Sequence, residues 1–521
     1  KPWLPTYRRR PGTSSAEVMA VTGEVLQAMG SPSEMLPHHP GSPAWPRMWG
    51  RPLIDFATAL HDIHQPPEEG PDEARTRMKF NEALALQLVM ALRRAETTVR
   101  LARPVVPVRP GSAYASLISH LPFTLTATQD SALERIGDAM EGGEPGLPTS
   151  PMSMLLQGDV GSGKTVVALL SMLRVVDSGA QCAFLAPTEV LATQHAETLT
   201  GLLEGTGVTV TLLTGSQRAA ERKAALLDIV SGTTDIVIGT HSVIQDSVEF
   251  FDLGMVVVDE QHRFGVRQRD RLRETSPVDR TPHLLVMTAT PIPRTVAMTM
   301  FGDLEICTLS GSPAGRGSVK SFVVPMWKRS WVDRVWAVIR EQAAAGNQAF
   351  VVVPRIEGEG GVDQVADRLE TGPLAGLRVG RLHGRMEDKN EVMAQLAAGE
   401  LDVLVATTVI EVGVDVPDAT GMAVLDAENF GVSQLHQLRG RVGRGSADSL
   451  CFLCTTALPA GDPDATPGSA RSYRRLEQVA ETTDGFRLAE LDLRTRTEGD
   501  VLGEAQSGAR VRRTTLLDLV E

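Results

Sequence analysis

Residues Leu155–Leu170 read LLQGDVGSGKTVVALL. An apolar run meets a glycine-rich loop, then Lys164 and Thr165, then a second apolar run. Residues 158–165 satisfy G-x-x-x-x-G-K-[ST] in full, in the strand-before, helix-after setting that the motif requires. In such a loop Gly158, Asp159, Val160, Gly161, Ser162 and Gly163 cradle phosphates with backbone N–H groups, and the helix N-terminus adds partial positive charge. Lys164 would reach the β- and γ-phosphates of ATP, and Thr165 would bind Mg²⁺.

Outward from this loop, short β-branched runs alternate with helical stretches: SMLLQ, CAFLAP, VTVTLLTG, DIVIGT, MVVVDE and HLLVMTAT. This is the pattern of a parallel sheet with crossover helices. LSGSPAGRGSVK (309–320), rich in Gly, Pro and Ser, reads as a hinge. The alternation then restarts with SFVVP, AFVVVP, RVGRLHG, DVLVATT, GMAVLD and LCFLCTT. The expected organisation is an α/β chain: a helical auxiliary region over 1–115, a first lobe over 116–309, a hinge over 310–319, a second lobe over 320–460, and a tail over 461–521. In the auxiliary region, SSAEVMAVTGEVLQAMG predicts a helix capped by Ser14 or Ser15 and ended by Gly30, with Val18, Val21, Val25 and Met29 as its stripe. Proline-rich irregular chain should run to residue 52. Asp72–Ala95 predicts one long helix with Leu84, Leu88 and Leu92 on one face. PAGDPDATPGSA (459–470) reads as a loop.

The bulk properties are consistent with this layout. A chain of 521 residues, 42% of them apolar, can build several cores. A net charge of −13 argues against a protein that coats nucleic acid non-specifically, although a local basic groove is compatible with it. Four cysteines are too few for a disulfide scaffold and fit a reducing cytosol. Cys451 and Cys454 form C-x-x-C inside a strand-like run, where residues three apart point to opposite faces, so they read as core filling. No apolar run reaches 18 residues, so no spanning helix and no membrane partner is expected.

Two further segments carry chemistry. MVVVDEQH puts Asp259 and Glu260 at a strand's C-terminal end, the ligand edge of a doubly wound sheet. Asp259 can hold Mg²⁺ there, and Glu260 can polarise an attacking water. A single lobe of this kind would suit a kinase or a transporter ATPase. The second lobe argues otherwise, because QLHQLRGRVGRG offers Arg439, Arg441 and Arg444, spaced to reach a γ-phosphate from across a cleft. Two lobes sharing one nucleotide can close and open with hydrolysis and so ratchet along a polymer.

Taken in order, LPFTLTATQD, GDVGSGKT, APTEVLATQH, LLTGS, IVIGTHSVIQ, VVVDEQHRFGV, MTATPIPRT, LHGRM, VLVATTVIEVGVDVP and QLHQLRGRVGRG resemble a superfamily 2 helicase core, and more narrowly the RecG family of branched-DNA translocases. The resemblance covers about 120–450 and implies two RecA-like lobes. It implies that Gln129 reads adenine with Phe123 nearby, that Gly413 and Asp415 help form the cleft, and that Gln437 joins the catalytic group of its segment. Thr288 and Thr290 would couple hydrolysis to lobe movement, and Thr188, Thr240 and Thr407 would line the DNA track. The bare residue pattern would make these threonines ordinary strand-end caps.

Farther on, RRLEQVAETTDGFRLAELDLRTRTEGDVLGEAQSG resembles the family's translocation motif, a helical hairpin and loop in which Arg475, Arg496 and Gln506 couple ATP turnover to movement. Here Thr497 and Glu498 stand where the family has Gly-Pro, and Ala505 where an arginine is common. The family also carries an N-terminal wedge domain that splits the branch point. LPTYRRRPGTSSAEV resembles the stretch that follows it, so the expectation is a motor without its wedge, the wedge being removed or not observed. The implied partners are double-stranded and branched DNA and a single-strand-binding protein. A monomer in the bacterial cytoplasm, associated with the nucleoid, is expected. A transcription-repair-coupling translocase shares the motor and a similar tail; a non-hydrolysing nucleic-acid-binding module is the alternative outside the enzymes.

Overall fold

The computed structural model describes residues 3–5, 7, 14–37, 45–48, 51–99, 101–141, 149–245, 248–259, 280–288, 304–311, 318–386, 389–411, 416, 418–443, 445 and 447–500. The chain divides into two compact units.

The smaller unit is built from residues 1–93 with 298–302 and 495–521. Its first helix, α1 (Ser15–Met29), starts on a capping box: Ser14 accepts from the Glu17 N–H, and the Glu17 carboxylate accepts from the Ser14 N–H. Gly30 ends it at φ 68°. Of its stripe, Val21, Val25 and Met29 are exposed and Val18 is half-buried. The proline-rich stretch contains a small antiparallel hairpin, β1 (Arg47–Met48) and β2 (Arg51–Pro52), which the irregular-chain reading omitted. Helices α2 (Phe56–His64) and α3 (Asp72–Val99) follow. The long helix was expected over 72–95 and runs four residues farther. Leu88 and Leu92 of its predicted face are exposed.

This unit is held by a buried cation. Arg77 is fully buried; it pairs with Glu34 and also donates to the Ile54 carbonyl (2.8 Å) and to Asn81 Oδ1 (2.9 Å). The Trp45 ring covers its guanidinium, 5.5 Å from the ring centroid. Glu34 also accepts from the Leu36 and Phe56 N–H groups. Burial would raise its pKa, but Arg77 and the two amides outweigh burial and hold it at about 2.

The larger unit, residues 94–297 and 303–494, contains both lobes. The first lobe runs α4 (Ala113–His120), α5 (Ala127–Glu141), β3 (Ser153–Gly158), α6 (Lys164–Val176), β4 (Gln181–Leu185), α7 (Glu189–Leu202), β5 (Val210–Leu213), α8 (Ala219–Ser231), β6 (Ile236–Gly239), β7 (Leu253–Val258), β8 (His283–Thr288) and β9 (Glu305–Leu309). The strands form one parallel sheet in the order β5-β6-β4-β7-β8-β3-β9. Strands β4, β6, β7 and β8 are buried at every position, as expected where helices cover both faces. Strand β9 was not foreseen; its Glu-Ile-Cys-Thr-Leu run mixes exposed and buried residues and merges into the hinge composition.

The second lobe runs β10 (Val319–Pro325), α9 (Arg329–Ala344), β11 (Gln348–Val352), α10 (Val362–Thr371), β12 (Val379–Leu382), α11 (Lys389–Ala397), β13 (Val403–Ala406), β14 (Ala419–Val424), α12 (Val432–Arg439) and β15 (Ser449–Thr455). Its sheet is parallel too, ordered β10-β15-β14-β11-β13-β12. On β15, Cys451 joins the core cluster on one sheet face and Cys454 the cluster on the other, as core filling requires. Burial pushes both thiols up to about 12.

A helical hairpin follows, α13 (Pro467–Glu481) and α14 (Gly485–Asp500). Thr466 caps α13 and Pro467 occupies its first turn, so the predicted loop ends four residues early. Leu476, Val479 and Leu488 of the hairpin are buried in the core of the second lobe. Among the described residues, no helix is long and apolar enough to cross a membrane.

Candidate active site

The phosphate loop leaves β3 beside β9, and its glycines are set by crowding and backbone angle. A Cβ on Gly158 would fall 2.7 Å from Ser162 Oγ and 3.0 Å from both Leu309 Cβ and its carbonyl oxygen. Gly163, at φ 82°, would drive a Cβ to 2.2 Å from Gln129 Nε2. Helix α6 then begins at Lys164. The Lys164 ammonium is almost fully buried and donates to the carbonyls of Gly158 and Asp159, both at 2.8 Å. Thr165 sits half-buried one residue on.

Gln129, on α5, is buried against this loop. Its Nε2 donates to the Ser162 carbonyl (2.9 Å), and its Oε1 accepts from the Thr126 N–H (2.8 Å). Phe123 is exposed nearby in sequence. Asp259 follows β7; its N–H donates to the Leu185 carbonyl, and its carboxylate meets His195 Nε2 of α7 at 3.2 Å. The His195 ring packs on Phe184, with centroids 4.7 Å apart.

The second lobe reaches the loop through α12. His436 Nε2 lies 2.9 Å from Asp159 Oδ1, and the other Asp159 oxygen accepts from the Gly485 N–H at 3.3 Å. A Cβ on Gly440 would fall 2.9 Å from Val160 Cβ, so the end of α12 rests directly on the loop. Burial would raise the Asp159 pKa, but the His436 bond leads the effects that hold it below the ordinary value.

Arg439 departs from expectation. It is buried and turned inward, donating to the Val479 (2.8 Å) and Thr482 (2.7 Å) carbonyls at the end of α13 and approaching His436 Nδ1 at 2.8 Å. Those bonds direct it to the hairpin rather than to a phosphate. Gln437 and Arg441, at and just past the end of the same helix, are half-buried.

The threonines occupy strand and helix ends. Thr188 Oγ1 caps α7, accepting from the Leu191 N–H. Thr240 and Thr407 are buried after β6 and β13, and Thr288 is buried as the last residue of β8. Arg475 donates to the Glu428 carbonyl at 2.7 Å. Arg496 falls within α14, but its side chain lies outside the described residues, as do Glu260, Thr290, Gly413, Asp415, Arg444 and Gln506.

His195 and His436 were missed from the sequence. Both lie inside segments quoted for the resemblance, but a histidine announces no role until its partners are known; here each faces an aspartate that the motifs had already singled out.

Comparison with known proteins agrees with this geometry. Residues 138–299 match the DEAD/DEAH box helicase family, and residues 330–446 match the helicase conserved C-terminal domain. The chain is 44% identical to the ATP-dependent DNA helicase RecG of Mycobacterium leprae, over 98% of this chain and 69% of that protein. Against the RecG helicase of Bacillus subtilis the figures are 41%, 88% and 65%. A solved structure of RecG bound to a three-way DNA junction superposes with a TM-score of 0.74 at 34% identity, covering 99% of this chain and 65% of that one. The helicase MrfA bound to DNA, at 17% identity and a TM-score of 0.53 over 74% of this chain and 56% of that one, shares the fold alone. The chain thus spans about two thirds of the length of these RecG relatives. With a complete phosphate loop in the first lobe, the end of α12 in the second lobe resting on it, and this identity across both lobes, the chain belongs to the RecG family of ATP-dependent DNA helicases.

Proposed function

We propose that the chain hydrolyses ATP to move along double-stranded DNA and remodels branched DNA, such as stalled replication forks and Holliday junctions, in recombination and repair. The observation that carries this reading is the seating of α12 on the phosphate loop, through Gly440 on Val160 and His436 on Asp159. A lobe that touches the loop can respond to what the loop holds. The relatives named as RecG helicases, and the RecG structure bound to a three-way DNA junction, favour branched DNA as the substrate.

In this reading Lys164 exchanges its bonds to Gly158 and Asp159 for the β- and γ-phosphates of ATP, while Gln129 and Phe123 take the adenine. The hydroxyl of Thr165 and the carboxylate of Asp259 are the hard oxygen donors that Mg²⁺ requires, and the ion would neutralise phosphate charge. Glu260 orients the water. Arg441 and Arg444, with Gln437 and the cleft residues Gly413 and Asp415, stabilise the charge that develops on the γ-phosphate. Thr288 and Thr290 transmit hydrolysis, and Thr188, Thr240 and Thr407 follow the DNA backbone. Arg475, Arg496 and Gln506 convert turnover into movement. Phosphate contacts make binding fall with salt. The protein acts as a monomer at the bacterial nucleoid, with a single-strand-binding protein as partner.

The test compares ATP turnover stimulated by a fork, a four-way junction, linear duplex and RNA, alongside branch movement on the first two. Junctions should stimulate most and RNA least. RNA stimulation equal to that by the junctions, or no turnover on any DNA, would refute the reading.

A further inference from the structure

Three elements converge on one carboxylate. Asp159 is the second residue of the phosphate loop, and its main-chain oxygen is one of the two carbonyls that hold Lys164. Its side chain points to the second lobe. One oxygen meets His436 of α12, and the other accepts the Gly485 N–H, the first amide of α14. The next two amides of that helix, of Phe486 and Arg487, go to Asp484. A helix leaves its first N–H groups without partners in the helix. Here Asp484 satisfies two of them locally, its own N–H donates to Thr482 Oγ1 at 3.2 Å, and the phosphate loop satisfies that of Gly485 from the other lobe.

The far side of the ring is equally fixed. The Arg439 guanidinium can only donate, so His436 Nδ1 must accept from it, and His436 must carry its hydrogen on Nε2, aimed at Asp159. Arg439 in turn grips the Val479 and Thr482 carbonyls where α13 ends. The turn of the hairpin, residues 482–484, is therefore held on both sides by a chain of hydrogen bonds that begins in the phosphate loop.

From this ring we infer that Asp159 and His436 are positioning residues that report the occupancy of the phosphate loop to the hairpin turn. When Lys164 leaves the Asp159 carbonyl for a phosphate, the peptide that carries the Asp159 side chain loses a restraint, and the bonds to His436 and Gly485 re-form in a new geometry. The inference deepens the motor reading and rests on it.

The test uses the full chain with a non-hydrolysable ATP analogue. Hydrogen exchange is followed in peptides covering residues 479–490, with analogue affinity measured in parallel. In the wild type, analogue should change exchange in this stretch by at least about threefold, because it shifts a local opening equilibrium. His436→Ala should still bind analogue but lose that response. His436→Gln, whose amide can accept from Arg439 and donate to Asp159, should restore it. Duplex movement per ATP hydrolysed should fall about fivefold or more in the alanine variant and recover in the glutamine variant. A wild-type response in His436→Ala, or failure of both variants alike with movement and turnover lost in the same proportion, overturns the inference. A wild-type chain without DNA-stimulated turnover would instead overturn the motor reading itself.

Discussion

Replacing Glu34 with glutamine keeps its shape and one acceptor oxygen but leaves the buried Arg77 without a counter-charge. The cost follows from the carboxylate's pKa, which is held at about 2 against an ordinary 4.5. At about 1.4 kcal/mol per unit, the folded state stabilises the charged form by about 3 kcal/mol. Glu34 is less than a quarter exposed, so screening by water removes little of this. Because the folded value is depressed, the contribution is complete above the unfolded value and is lost as pH falls toward the folded one. Glu34→Gln should therefore destabilise the smaller unit by about 3 kcal/mol at pH 7, and the gap to wild type should narrow to roughly half of that at pH 3. Urea titration at the two pH values, read by fluorescence in a background where Trp45, which covers Arg77, is the one tryptophan kept of the six, measures both quantities. A difference below about 1 kcal/mol at pH 7, typical of a surface ion pair, would refute the claim that this pair is a buried tie. A gap that stays constant on acidification would show that the charge is not its source.

Lys164→Ala should abolish ATP hydrolysis while filter-binding affinity for a DNA fork stays within about threefold of wild type, since the ammonium is buried and bonds to the carbonyls of its own loop. The thiols of Cys451 and Cys454, pushed up to about 12, should resist a thiol reagent at pH 8 in the folded chain and react fully in denaturant, as titration with a chromogenic disulfide would record.

The parts of this molecule that could be read in advance are those where one residue type admits one physical solution. The buried strands were legible because unbroken Val, Ile and Leu runs between glycine-rich turns suit a sheet covered on both faces. The phosphate loop was legible because its glycines have no substitutes at such distances. Strand β9 was not, because its mixed polar and apolar sequence at a sheet edge runs on into hinge composition. The apolar stripe of α1 could be read as a face, but its exposure could not, because periodicity identifies a face without saying whether anything covers it. Arg439 misled for a related reason. Spacing placed it among residues that reach a phosphate, but its direction was decided by the carbonyls of a hairpin far along the chain. His195 and His436 acquired meaning only when the fold set aspartates before them.

Strand β9 has a mechanical implication. It lies next to β3, so the segment joining the lobes departs from the same sheet edge as the phosphate loop, with Leu309 against Gly158 and the Ser310 carbonyl accepting from Thr128 Oγ1 at 3.0 Å. In the proposed motor this puts the fulcrum beside the grip, and with so short an input arm a slight displacement at the phosphate loop would be geared up into a wide swing at the distant rim of the second lobe.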